Sequence, residues 1–118
     1  MDKSTLLGIL LVAVVALFVL FGRAGGGEAR VSGAEAHELV ANGAQLLDVR
    51  TPGEFSGGHI DGAVNIPVQE LSGRLGELSQ AQPVVVYCRS GARSSNAARS
   101  LQAAGFEAVH DLGPMSAW

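Results

Sequence analysis

The stretch Pro83-Val84-Val85-Val86-Tyr87-Cys88 restricts the fold of this chain more than any other. Three valines and a tyrosine follow one another with no polar residue between them, so the segment has no wet face. A strand of that kind is covered on both sides, as an inner strand of a parallel sheet is. Around it, short apolar runs alternate with segments of helical spacing, which predicts an open α/β sheet. Residues 34–43 carry Ala36, Leu39 and Val40 at helical spacing and stop at Gly43. His37 falls on that helix as a surface residue. Residues 44–49 read as a buried strand closed by Arg50, Thr51 and Pro52, and residues 62–67 as a second, ended by Pro67. Val68, Leu71, Leu75 and Leu78 predict a helix that Gly73 and Gly76 weaken by about 1 kcal/mol each. Residues 94–105 predict a helix with Ala97, Ala98, Leu101 and Ala104 on one face, and residues 106–112 a last strand.

The chain has 118 residues and a net charge of -3, which allows one small domain and gives no basic surface for nucleic acid. Its single cysteine, Cys88, excludes an internal disulfide. His37, His59, Cys88 and His110 are scattered without ligand spacing, so neither a metal nor a cofactor is expected. Residues 4–22 carry no charge and no polar face, and as a helix would span about 28 Å, close to a bilayer core. This predicts a single-pass membrane helix over residues 1–22, with the lipid bilayer as partner of residues 4–22 and Arg23 as the stop. The rival is a signal peptide cleaved after Ala24, which the long apolar run disfavours. Lys3 on one side against Arg23 and Arg30 on the other leaves orientation open. A very short leading tail ordinarily stays in the cytoplasm, which would put the domain outside. The glycine-rich residues 23–29 read as a flexible linker and residues 30–118 as the folded domain. No oligomer signal is visible, so a monomer is expected.

Cys88 sits where such sheets carry their sites, at the carboxyl end of a strand before a helix expected to begin near Ser94 or Ser95. Gly91 permits a turn that aims successive N–H groups inward, the helix N-terminus adds partial positive charge, and Arg89 and Arg93 add full charges. All of these favour a thiolate over a thiol. A cysteine packed at a strand end would not explain two arginines, a glycine and a serine-rich helix start in the next seven residues. Two reactions suit this cradle: phosphate-ester hydrolysis, and sulfur transfer through a cysteine persulfide. Cysteine phosphatases place an arginine six positions after the cysteine; here that position is Ser94, and Arg93 comes one earlier. The loop is one residue short for a phosphate.

Four stretches resemble the single-domain rhodanese family, the thiosulfate sulfurtransferase-like proteins. Residues 46–67, LLDVRTPGEFSGGHIDGAVNIP, resemble its first signature. Residues 84–94, VVVYCRSGARS, resemble its active strand and six-residue loop. Residues 97–118 resemble the following helix, last strand and closing Trp motif, and residues 31–45 the opening strand and helix. The resemblance implies a parallel five-stranded sheet flanked by helices, and a ping-pong reaction. Cys88 would take sulfane sulfur from a donor such as thiosulfate or a persulfide and pass it to cyanide or a thiol. The backbone N–H groups of Arg89, Ser90, Gly91, Ala92, Arg93 and Ser94 would hold the charge, with Arg93 the better candidate for direct donor contact. Asp48, Arg50, Glu54 and His59 fall in the first signature and are assigned to architecture rather than catalysis, as is Asn65 in a turn bond. A general-base role for His59 is weighed and set aside, because a thiolate needs none. The family's usual Gly-Gly before the Trp motif is replaced by Gly113-Pro114, and Trp118 stands where relatives often continue into a helix. The alternative function is a non-enzymatic module that binds a partner or carries persulfide sulfur. The intact Cys88 argues against a purely structural module.

Overall fold

The computed structural model describes residues 30–118. The expected membrane helix at 1–22 and linker at 23–29 lie outside the described residues. Among those described, no helix is long and apolar enough to cross a membrane.

Helix α1 (Gly33–Ala41) starts at a capping box, in which Ser32 Oγ accepts from the Glu35 N–H and the Glu35 carboxylate returns the bond to Ser32 N–H. Strand β1 (Gln45–Asp48) follows, then a short helix α2 (Pro52–Ser56), strand β2 (Val64–Asn65) and strand β3 (Val84–Cys88). Helix α3 (Ala92–Ala103) and strand β4 (Val109–Pro114) complete the sheet, whose order is β2-β1-β3-β4 with every pair parallel.

β3 is buried at all five residues, as its unbroken apolar run requires. Val84, Val86 and Cys88 face one core with Leu47, Ala97, Ala98 and Leu101 under α3. Val85 and Tyr87 face the other with Ala36, Leu46, Ile60 and Leu112 under α1. Both faces being dry is what fixes β3 at the centre and carries its last residue to the sheet's carboxyl end.

The expected fifth strand is corrected: the described sheet has four strands. Among the described residues, the expected opening strand is one parallel bridge between Arg30 and Asp111, with Val31 N–H donating to Asp111 O at 2.9 Å. Ser32 is already the cap of α1, so the chain turns away from β4 directly after Val31. Residues 68–79 form two 3₁₀ segments, Val68–Gly73 and Leu75–Glu77, instead of one α-helix. Two glycines and tertiary packing of Leu71 on the core account for the change. The last strand runs Val109–Pro114, later than the expected 106–112, and the second strand shortens to Val64–Asn65. α2 was not expected from the sequence; Thr51-Pro52-Gly53-Glu54 is a capping box with proline at the first helical position, a signal that the reading as a strand terminator hid.

Trp118 closes the α1 face. It stacks on His37 with ring centroids 3.7 Å apart and packs against the second core. The Gly113-Pro114 departure is absorbed at a bulge in the β3–β4 pairing, where Val86 pairs Asp111 and Tyr87 pairs Gly113.

Leu47 is 0% exposed and Val64 45% exposed. Leu47→Ala is expected to cost about 2–5 kcal/mol, and Val64→Ala to stay within about 0.5 kcal/mol, as read by urea unfolding.

Candidate active site

Helix α3 begins at Ala92, earlier than the expected Ser94 or Ser95, and its N-cap is Gly91 at φ 105°. Ala92 and Arg93 are therefore the first helical residues and not loop. A glycine cap has no side chain to serve the free N–H groups of the first turn, and no side-chain cap is made. The Cys88 sulfur takes part of that role: the Ser94 backbone N–H of the first turn is turned to it, and the N–H of Gly91 itself donates to Sγ at 3.0 Å. The positive φ of Gly91 turns the chain so that the loop folds back over the sulfur, a conformation that side chains with a Cβ resist.

Cys88 is fully buried. Burial pushes its thiol up, while the Ser94 hydroxyl and the backbone N–H groups of Ser94, Gly91 and Ser90 pull it down. The hydrogen bonds prevail, and the thiol lies below its ordinary value. The buried Ser94 hydroxyl has one proton and donates it to Gly91 O at 3.1 Å; an anionic sulfur is the stronger acceptor. The arrangement can hold a negatively charged sulfur in a place that water does not reach.

The two arginines divide. Arg93 is committed to Glu54, with Nη1–Oε1 at 2.6 Å and Nη2–Oε2 at 3.0 Å. Arg89 is exposed on the loop and has no carboxylate within ion-pair distance among the described residues. Of the two loop arginines, Arg93 is thus paired, and Arg89 is in no ion pair among the described residues. It borders a cleft of about 380 Å³ whose walls include Arg50, Glu54, Gly57, Gly58 and Met115. A second cleft of about 330 Å³, between Glu35, Glu38 and His110, contains no nucleophile.

The other expected residues brace this end of the sheet. Asp48 and Arg50 form a buried bidentate pair, Nη2–Oδ2 at 2.7 Å and Nε–Oδ1 at 3.0 Å, and Arg50 Nη2 also donates to Gly58 O at 2.8 Å. The Arg50 guanidinium lies 5.7 Å from the Tyr87 ring centroid. The Tyr87 hydroxyl accepts from Ile60 N–H at 3.1 Å, and burial, then the adjoining Asp48 carboxylate, pushes the phenol up to about 12. Asn65 Nδ2 donates to the carbonyls of Asp48 and Arg50, tying β2 to the turn after β1. His59 stacks on Phe55 at 3.6 Å and its Nδ1 sits 2.9 Å from Phe55 O, a bracing contact for α2.

Comparison with known proteins places residues 32–118 under the model of the rhodanese-like domain. The uncharacterized protein YqhL of Bacillus subtilis (strain 168) is 45% identical over 76 residues, 64% of this chain and 60% of that protein's length. Thiosulfate sulfurtransferase 16, chloroplastic, of Arabidopsis thaliana is 39% identical over 104 residues, covering 75% of this chain and 84% of that protein. The human single-domain sulfurtransferase TSTD1 superposes with a TM-score of 0.62 at 30% identity, covering 75% of this chain and 90% of that one.

Glu54 links α2 to α3. The Arg93 guanidinium, then the Thr51 backbone N–H, lowers its carboxyl from 4.5 to about 2. A folded value below the unfolded one contributes stability above about 4.5 that is lost as pH falls toward about 2. Glu54→Gln is expected to cost about 1 kcal/mol at neutral pH, since the pair is partly open to solvent. Denaturant midpoints of wild type and variant should converge between those two pH values.

Proposed function

Because the chain belongs to the rhodanese-like domain family, we propose that it is a sulfurtransferase with Cys88 as its nucleophile. The observation that carries this reading is the sulfur of Cys88 set at the start of α3, accepting from Gly91 N–H at 3.0 Å with the Ser94 N–H also turned to it. The chain spans 60% of the length of YqhL, and the names of the other two relatives support sulfur transfer as the chemistry.

With thiosulfate as donor, the Cys88 thiolate attacks the outer sulfur. A bond forms between Sγ and that sulfur, the sulfur–sulfur bond of thiosulfate breaks, and sulfite leaves with the electron pair. The persulfide anion then occupies the cradle of N–H groups. Cyanide or a thiolate attacks the outer persulfide sulfur, the bond to Sγ breaks, and the Cys88 thiolate returns. Cys88 is closed off in the resting fold, so the loop opens toward the cleft beside Arg89 to admit the donor. Arg89 attracts the anion there; Arg93 and Glu54 fix the first turn of α3.

The uninterrupted apolar run of residues 4–22 supports a membrane anchor for this domain, with a linker at 23–29, and an extracytoplasmic domain is the orientation proposed. An anchored chain stays with the membrane pellet through an alkaline carbonate wash; release into the supernatant would contradict the anchor.

In a thiosulfate–cyanide assay on the full-length protein, Cys88→Ser is expected to abolish turnover. Arg89→Ala should raise KM for thiosulfate several-fold with the melting temperature unchanged. Arg93→Ala should lower the melting temperature as well, because it releases Glu54. Full turnover by Cys88→Ser would end the reading. One sulfur taken up without catalytic turnover would favour a persulfide carrier instead.

A further inference from the structure

Arg30 lies two residues ahead of the segment that matches the family, 32–118, yet its side chain reaches the sulfur loop. Its backbone bridges Asp111 on β4. Its guanidinium fills space that two glycines leave open. A Cβ on Gly91 would run into Arg30 Nη2 and stand 2.7 Å from Cζ; a Cβ on Gly113 would stand 2.8 Å from Nε. Both glycines are buried and both have positive φ, 105° and 82°. Gly91 is the residue whose N–H donates to the Cys88 sulfur at 3.0 Å. Bond lengths along that path put the Arg30 guanidinium carbon at most about 9 Å from the sulfur.

We propose that Arg30 is a positioning residue for the sulfur site: seated in the slot between Gly91 and Gly113, it places a positive charge behind the loop and favours the anionic form of Cys88. This rests on Cys88 being the nucleophile. The other charges around the sulfur are already assigned. Arg89 stands exposed on the loop, Arg93 is held by Glu54, and Asp48 and Arg50 neutralise each other. Asp111, whose Oδ1 accepts from Gly113 N–H at 2.8 Å, opposes Arg30 and offsets part of its field. A unit charge about 9 Å away in a partly solvated setting shifts a titration by about half a unit at low salt, and less as the Debye length shortens.

The test is a pH titration of thiolate ultraviolet absorbance on the full-length chain. Cys88 is its only cysteine, and Cys88→Ser supplies the blank. Arg30→Met and Arg30→Gln remove the charge, while Arg30→Lys keeps it; thermal melts establish that each is folded. The neutral variants are expected to raise the midpoint by about half a unit at low salt, with the difference shrinking in concentrated KCl and Arg30→Lys staying near wild type. An unchanged midpoint in both neutral variants overturns the proposal. So does an equal shift in all three variants that ignores salt, which would assign Arg30 to packing alone. The readout needs no sulfur donor, so a chain that proves inactive as a transferase still answers it.

Discussion

A sulfur atom buried at the end of a strand has no water to solvate a negative charge. The turn after β3 supplies the hydrogen bonds that water would have given. Burial raises the Cys88 thiol, and the Ser94 hydroxyl together with the N–H groups of a turn built on a left-handed glycine brings it back below its ordinary value. Much of the nearby structure serves that turn. β3 is dry on both faces and so delivers Cys88 to one fixed place. Glu54 and Arg93 fasten the first turn of α3 to α2. Asp48 and Arg50 fix the end of β1, which pairs alongside β3.

The buried Asp48–Arg50 pair illustrates how this end of the sheet is specified. Two charges withdrawn from water are costly, and their attraction offsets that cost only when the geometry is good and the remaining donors are used. Here both carboxylate oxygens are engaged, and Arg50 carries on to Gly58 O. The pair thus holds the chain between β1 and α2, along one wall of the cleft beside Arg89.

The central strand, the flanking helices and the position of Cys88 were legible in the sequence because each follows from a strong local pattern. Val84–Cys88 has only one way to be dry on both sides, and Ala97, Ala98 and Leu101 lie on one helical face. What was not legible depended on contacts distant along the chain. The pairing of Arg93 with Glu54 joins residues 39 apart, so the loop appeared to offer two free arginines where, among the described residues, it offers one. The 3₁₀ geometry of residues 68–77 follows from packing that overrides apolar spacing. The fifth strand was expected from resemblance, but among the described residues Arg30 and Val31 alone lie beside β4 before the cap at Ser32 turns the chain into α1. Helix α2 had a readable signal in Thr51-Pro52-Gly53-Glu54 that the strand ending masked.

The most direct test is the intact mass of the full-length protein after incubation with thiosulfate and removal of excess donor. A gain of one sulfur, about 32 Da, that is lost on adding cyanide and absent in Cys88→Ser is the result the account predicts. A folded protein with a titratable Cys88 thiol and no such gain from thiosulfate or from a persulfide donor would contradict it.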